Sequence, residues 1–294
     1  RFPYMFLHMQ NAAVEAVALF MAGVAAYFVY QHHVRENTVE NIAFWTTTLK
    51  IAIVALVITA PLQVIHGDLY ARHVYETQPQ KFAAMEALWE TDTYVPEYIV
   101  AFPTDLSQLL NPRTKDLFGI GIPGGASWLA SGGDPQAEIR GLNSFDTEAP
   151  PVAIVFWSFR IMVGLGFWFI LLAFWASYRW YRTELADDDL LHKALMGSSL
   201  LGILAVETGW VVTEVGRQPW VIQGVMRTAE GVSPGLSGTE ATFTLLAFVG
   251  GYSLLLVLYT YVIRRIIQHG PPAVEDHRTT AENSQPESEV NADG

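Results

Sequence analysis

Five apolar stretches set the pattern of this chain, each near the roughly 20 residues that a helix needs to cross a bilayer. They run from about Tyr4 to Tyr30, Ile42 to Ile65, Val152 to Ser177, Ala194 to Val215 and Ala241 to Ile263. A polar region, 67–151, separates the second from the third, and a tail rich in Pro, Glu, Asp, Ser and Asn follows the last. The expectation is an all-α integral membrane protein: two transmembrane helices in 1–66, a long loop in 67–151, three transmembrane helices in 152–265 and a disordered acidic tail in 266–294. Inside the loop, Gln78 to Thr91 carries Phe82, Met85, Leu88 and Trp89 at helical spacing. That predicts a short amphipathic helix lying on protein or at the lipid interface. NPRTK (111–115) and the Gly/Pro-rich 122–135 read as loop.

Basic residues orient the helices. Arg35 and Lys50, then Arg179, Arg182 and Lys193, then Arg264 and Arg265 fall on one side of an up-and-down path. That side is expected to be cytoplasmic, which puts 67–151 outside the cell membrane and the tail within. The chain opens on Arg1 and runs directly into an apolar stretch without a signal-peptide pattern, as a segment of a longer protein would.

Composition agrees: 51% of the 294 residues are hydrophobic and only 16% charged. A net charge of −12 argues against a nucleic-acid partner. With no cysteine there are no disulfides, thiolate metal sites, iron–sulfur clusters or thioether-linked haem, so a bound cofactor needs His, Met, Glu, Asp or Tyr ligands.

Ionisable groups within membrane spans are costly, so His8, Glu15, Arg160, Glu207 and Glu214 are candidates for function, and Met162 joins them because a thioether can ligate haem iron. At the helical rise, His8 lies roughly 33 Å, Met162 roughly 24 Å and Glu214 roughly 30 Å from the cytoplasmic ends, all in the outer half. Plainer readings stand beside these. A single His near a helix end is commonly interfacial or hydrogen-bonded, and a Met in an apolar span is commonly packing. Glu214 and Arg217 have the spacing of a helical ion pair. Glu207 and Glu214, seven apart, share one face, expected to be buried. Arg160 needs an anionic partner, either a Glu or a haem propionate. GRQPW (216–220) is, at its simplest, a helix terminator.

Several strings, in order, resemble one family: FLH (6–8), GD (67–68), QKFAAMEALWET (80–91), FRIMVGLGFW (159–168), AVETGWVVTEVGRQPW (205–220) and R-T-A (227–229). They are similar to the second half of subunit I of cytochrome bd-type quinol oxidases, from His8 to about Arg265. The resemblance implies that His8 and Met162 are the axial ligands of a low-spin haem b, and that Glu214 ligates a high-spin haem b. It sets Arg160 beside the first haem and Arg217 near the second, with Trp220 among the haem-binding residues and Glu207 as an acid of the haem region. Lys81, Glu86 and Asp68 then belong to the extracytoplasmic quinol-binding loop. The five helices would be part of a nine-helix subunit, with the haem d ligand in the helices that precede these. Implied partners are subunit II, small single-helix subunits, quinol, O2 and the lipid bilayer of a prokaryotic cell membrane.

The expected activity is electron transfer from quinol through b-type haems to O2, giving water and a proton motive force, and only within a complete complex. Glu15 departs from the family pattern; it shares a face with His8 and is a lining residue, an ion-pair partner or an extra protonatable site. Two other classes compete: a proton- or cation-conducting transporter subunit using Glu15, Glu207 and Glu214, and a haem-free assembly partner.

Overall fold

The computed structural model describes residues 2–33, 41–182, 185 and 188–270. Arg35 and the tail beyond Gly270 lie outside the described residues. Among the described residues there are eight α-helices: α1 (Phe2–His33), α2 (Ile42–Thr77), α3 (Pro79–Met85), α4 (Gly125–Ser131), α5 (Val152–Arg182), α6 (Asp189–Ser198), α7 (Leu201–Val215) and α8 (Gly238–His269). Five segments are long and apolar enough to cross a membrane: α1, α2, α5, the α6–α7 pair as one span, and α8. The chain divides into two compact units, Arg1–Gly238 and Thr239–Gly294. In the second unit α8 is a 32-residue helix, roughly 48 Å long at the helical rise.

In the first unit, small residues let the helices approach closely. Ala18, Ala22, Ala25 and Ala26 of α1 are buried in one core with Leu49, Ala52, Ile53 and Leu56 of α2, the small-residue packing expected where lipid leaves little hydrophobic drive between helices. A Cβ on Gly202 would stand 2.6 Å from the Cα of Ala16, so α7 crosses α1 where only glycine fits. Phe169, Leu172 and Ala176 of α5 with Leu191 and Leu195 of α6 complete the core.

The structure differs from the sequence reading at three places. The helix predicted to end at Ile65 continues as α2 to Thr77: beyond the apolar stretch, Asp68 and Arg72 pair one turn apart at 2.7 Å, and such pairs sustain a helix in polar sequence. The predicted helix over 78–91 is shorter. It starts with Pro79 at its first turn, and Ala87 leaves the helical region at φ 50°. Its apolar face, Phe82, Met85 and Leu88, is buried in protein.

Third, the loop is not all irregular. Strands β1 (Glu97–Pro103) and β2 (Leu117–Ile122) form an antiparallel hairpin, and 125–131 within the expected loop is helix α4. A second small ribbon joins β3 (Trp220–Ile222) to β4 (Met226–Arg227). The elements of 67–151 enclose a second core of Val74, Phe82, Leu88, Ala126 and Ile139 with Val155, Phe156 and Phe159 of α5. The loop is thus a folded cap on the helix ends. Gln80 ties its beginning to its end, donating to the carbonyls of Thr147 (3.1 Å) and Glu148 (3.0 Å) and accepting from the Thr147 hydroxyl (3.0 Å).

Candidate functional site

Between the helices and this cap lies a cavity of about 890 Å³, mostly apolar. Two of its polar lining groups descend from α1, His8 and Glu15; Asp68 comes from α2, Met162 from α5, Lys81 from α3 and Glu97 from β1.

The His8 ring sits with Nε2 3.3 Å from Gln63 Nε2. The Gln63 carbonyl in turn accepts from Asn11 at 2.8 Å, which fixes the Gln63 amide with its NH₂ toward the ring. The other ring nitrogen, Nδ1, is buried and has no hydrogen-bond partner. Glycines flank both the histidine and the methionine. A Cβ on Gly67 would lie 3.4 Å from His8 Cε1, and one on Gly209 3.1 Å from Met162 Sδ. Gly166 has open space where a side chain would be. Among the described residues no three His, Cys, Asp or Glu side chains gather into a metal-binding cluster. A bare ion therefore has no cage here among the described residues, whereas a prosthetic group that carries most of its metal's ligands would need only a pair of donors.

Arg160 occupies the junction between α5 and the cap. Its Nη2 donates to both carboxylate oxygens of Glu86 at 2.8 Å and to the Met85 carbonyl at 3.2 Å. Its Nη1 donates to Glu97 Oε1 at 2.8 Å and to the Tyr98 carbonyl. The guanidinium also lies over Phe156 and Phe159, 5.2 and 4.6 Å from their ring centres. Of the two anionic partners considered for Arg160, the structure shows Glu. Gly125 makes room for the second carboxylate: a Cβ there would be 2.7 Å from Glu97 Cβ.

Burial drives the Glu86 carboxyl well above the ordinary carboxylate range, with the pull of Arg160 opposing it and the neighbouring Glu97 adding to it. Lys81 is buried, and its ammonium donates to the Thr213 carbonyl at 3.0 Å. Thr213 belongs to the last turn of α7, where carbonyls lack helical partners and a cation is favoured. Gly216 completes this contact, since a Cβ there would be 3.0 Å from Lys81 Cγ. The glycine of GRQPW thus admits the lysine stem as well as ending the helix.

The remaining predicted residues are placed elsewhere. Asp68 lines the cavity while paired to Arg72, which lies 5.2 Å from the Trp128 ring centre. Glu214 forms an ion pair with Arg217, the plainer of its two readings. Glu207 and Glu214 do share a face of α7, but that face is exposed rather than buried: α7 turns Thr208 and Val212 inward instead. Trp220 begins β3; its indole Nε1 is buried without a hydrogen-bond partner, and Arg227 lies 5.4 Å from its ring centre. Glu15 is buried, with Oε1 lacking a partner.

Three contributors were missed from the sequence. Asn11 and Gln63 carried a usable signal, as polar residues inside apolar spans. Glu97 carried none, being one acid among many in a polar region.

Known proteins share both sequence and fold with this chain. Cytochrome bd ubiquinol oxidase subunit 1 of Bacillus subtilis (strain 168) is 31% identical over 274 residues, 90% of this chain and 56% of that protein. Cytochrome bd-II ubiquinol oxidase subunit 1 of Escherichia coli (strain K12) is 27% identical, over 94% of this chain and 64% of that protein. The structure of bd oxidase from Geobacillus thermodenitrificans superposes with a TM-score of 0.76 at 26% identity, covering 92% of this chain and 58% of that one. The chain therefore spans between about half and two thirds of the length of these relatives. The family profile described as cytochrome bd terminal oxidase subunit I matches residues 1–271, and the chain belongs to that family.

Proposed function

We propose that this chain is the part of a terminal-oxidase subunit that takes electrons from quinol, acting in a membrane complex whose other parts reduce O2 to water. The observation that carries the reading is the cavity: it brings a histidine and a methionine from α1 and α5 together with Lys81 and Glu97 of the cap.

The residues present fit a low-spin haem. The buried, unpartnered His8 nitrogen and the Met162 thioether would be its two ligand donors, Gln63 would steady the ring as an outer partner, and the glycines at 67, 166 and 209 leave space beside them. Such a haem supplies one-electron acceptance, with a potential raised by its Met ligand. The chain's own part is to exclude water with apolar walls, to hold the two donors, and to present Lys81, Asp68 and Glu97 to a quinol's hydroxyl groups. For a second, high-spin haem the described residues furnish one carboxylate, Glu214, with Arg217 beside it and Trp220 and Glu207 near in sequence; it stands outside this cavity.

A haem d and its ligand, subunit II and small single-helix subunits would belong to the rest of the complex, with residues 67–151 outside the cell membrane and the C-terminal tail inside. The transporter reading needs Glu15, Glu207 and Glu214 along one path, and of these only Glu15 lines the cavity.

The test is a reduced-minus-oxidised optical spectrum of the purified complex, with haem extraction. A low-spin b signal is expected, and Met162→Leu should abolish or convert it while the protein still inserts. A complex without haem would overturn the redox reading; an unchanged spectrum in Met162→Leu would overturn that ligand.

A further inference from the structure

The charges around Arg160 do not balance. One guanidinium meets two carboxylates, with side-chain exposures of 4% for Arg160, 1% for Glu86 and 10% for Glu97. Fully ionised, the cluster would be a net anion out of water, and buried groups in that position take up a proton instead. A second observation agrees. Glu97 Oε2 is buried with no hydrogen-bond donor on it among the described residues, a position in which an uncompensated negative charge is costly.

The ionisable groups on the packed elements have their own contacts. On α2, Asp68 holds Arg72, and His73 lies 3.8 Å from Glu76. Lys81 of α3 directs its ammonium to Thr213. Helix α4 and strand β2 carry no ionisable side chain.

The pair is also polar in its placement. Glu97 lines the cavity together with Lys81, and Glu86, absent from the lining, stands at the end of α3 within the cap. We propose that Glu86 and Glu97 share one proton on Arg160 and form a relay, Glu97 accepting a proton from a hydroxylic donor in the cavity as Glu86 releases one toward the loop side. This rests on the quinol reading above for the identity of the donor. Oxidising a quinol breaks two O–H bonds; the two electrons would go to the one-electron acceptor of the proposed function, and each proton passes to a Glu97 oxygen. Because Glu86 gives up a proton each time, the cluster holds one proton and no net charge before and after. Glu97 is then a catalytic residue for deprotonation, and Arg160 a positioning residue.

The experiment uses the purified complex as wild type and with Glu97→Gln, Glu86→Gln and Glu97→Asp. Infrared absorption of the protonated carboxyl is followed as pH is raised, and kcat and KM for quinol are measured across pH. The wild type should keep a protonated carboxyl above the ordinary Glu range, and both Gln variants should lose it. In Glu97→Gln, kcat should fall about tenfold or more with KM changed by less than about threefold, a loss at the modest end for a proton-transfer group. The low-spin spectrum should be retained, and Glu97→Asp should recover part of the rate.

A carboxyl signal that survives in both Gln variants, or an unaltered kcat and pH profile in Glu97→Gln, overturns the proposal. Should Glu97→Gln not assemble, the wild-type titration with Glu86→Gln and Glu97→Asp decides it by the same criteria. A wild type that shows the carboxyl signal yet oxidises no quinol overturns the relay and the proposed function, while the shared proton stands.

Discussion

Arg160 ties helix α5 to the cap through two carboxylates and two carbonyls, and Arg160→Met tests that tie. The substitution keeps an unbranched apolar stem but removes the donors that reach Glu86, Glu97 and the carbonyls of Met85 and Tyr98. Removing one partner of a buried ion pair costs about 3–5 kcal/mol, because the other charge stays buried without compensation. The lost contact with Phe156 and Phe159 adds about 0.5–2 kcal/mol, and protonation of the second carboxylate recovers part of the total. A net loss near 3–4 kcal/mol is about 10²–10³ in the ratio of docked to undocked cap, at roughly 1.4 kcal/mol per tenfold. Limited proteolysis of membranes measures this: cleavage within 78–151 should accelerate by that factor wherever opening precedes cutting.

The triple variant Arg160→Met, Glu86→Gln, Glu97→Gln removes the stranded acids as well. It should recover most of the resistance, since a neutral set of similar volume often matches a buried ion cluster. Resistance unchanged in Arg160→Met, or a triple variant no better than the single one, would refute the reasoning.

Two further outcomes follow from the cap. Glu86 keeps its proton in the docked cap above 4.5, the ordinary value at which the unfolded chain gives it up. The docked state therefore binds more protons in that window, and cap stability should fall as pH rises from about 4.5 upward through the raised value; Glu86→Gln should flatten that slope in thermal unfolding monitored at several pH values. Phe82→Ala empties a site that is 1% exposed and packed edge-on against Tyr75. It should cost about 3–5 kcal/mol, read as a lowered melting temperature of the cap, and a shift within error would mean that the second core does not hold the loop down.

The membrane architecture was legible because lipid leaves one local rule, an apolar run of sufficient length, and all five runs fall in helical segments long and apolar enough to span. The polar groups inside those runs were legible for the same reason. A polar atom there stands out against its neighbours, and His8, Glu15 and Met162 meet in one cavity. The cap was less legible, because its order comes from contacts between distant segments: Gln80 with Thr147, Trp89 with Pro112 (2.9 Å), Thr114 with the Glu86 carbonyl. None of these has a local period, so the hairpin Glu97–Ile122 and helix α4 were read as loop.

The burial of α7 was misjudged for another reason. Two acids seven apart show that they share a face, but not which way the face turns. The direction was set by Gly202, which admits Ala16, and by Gly209, which admits Met162, so that the glycine side of α7 faces inward and Glu207 and Glu214 point away. Small residues in a membrane helix mark the side on which its neighbours lie, and 202 and 209, seven apart like the acids, mark the opposite side. Read together, the two seven-residue spacings orient α7 from sequence alone: the glycines locate the packed cavity, and the acids locate the face left for what lies beyond it.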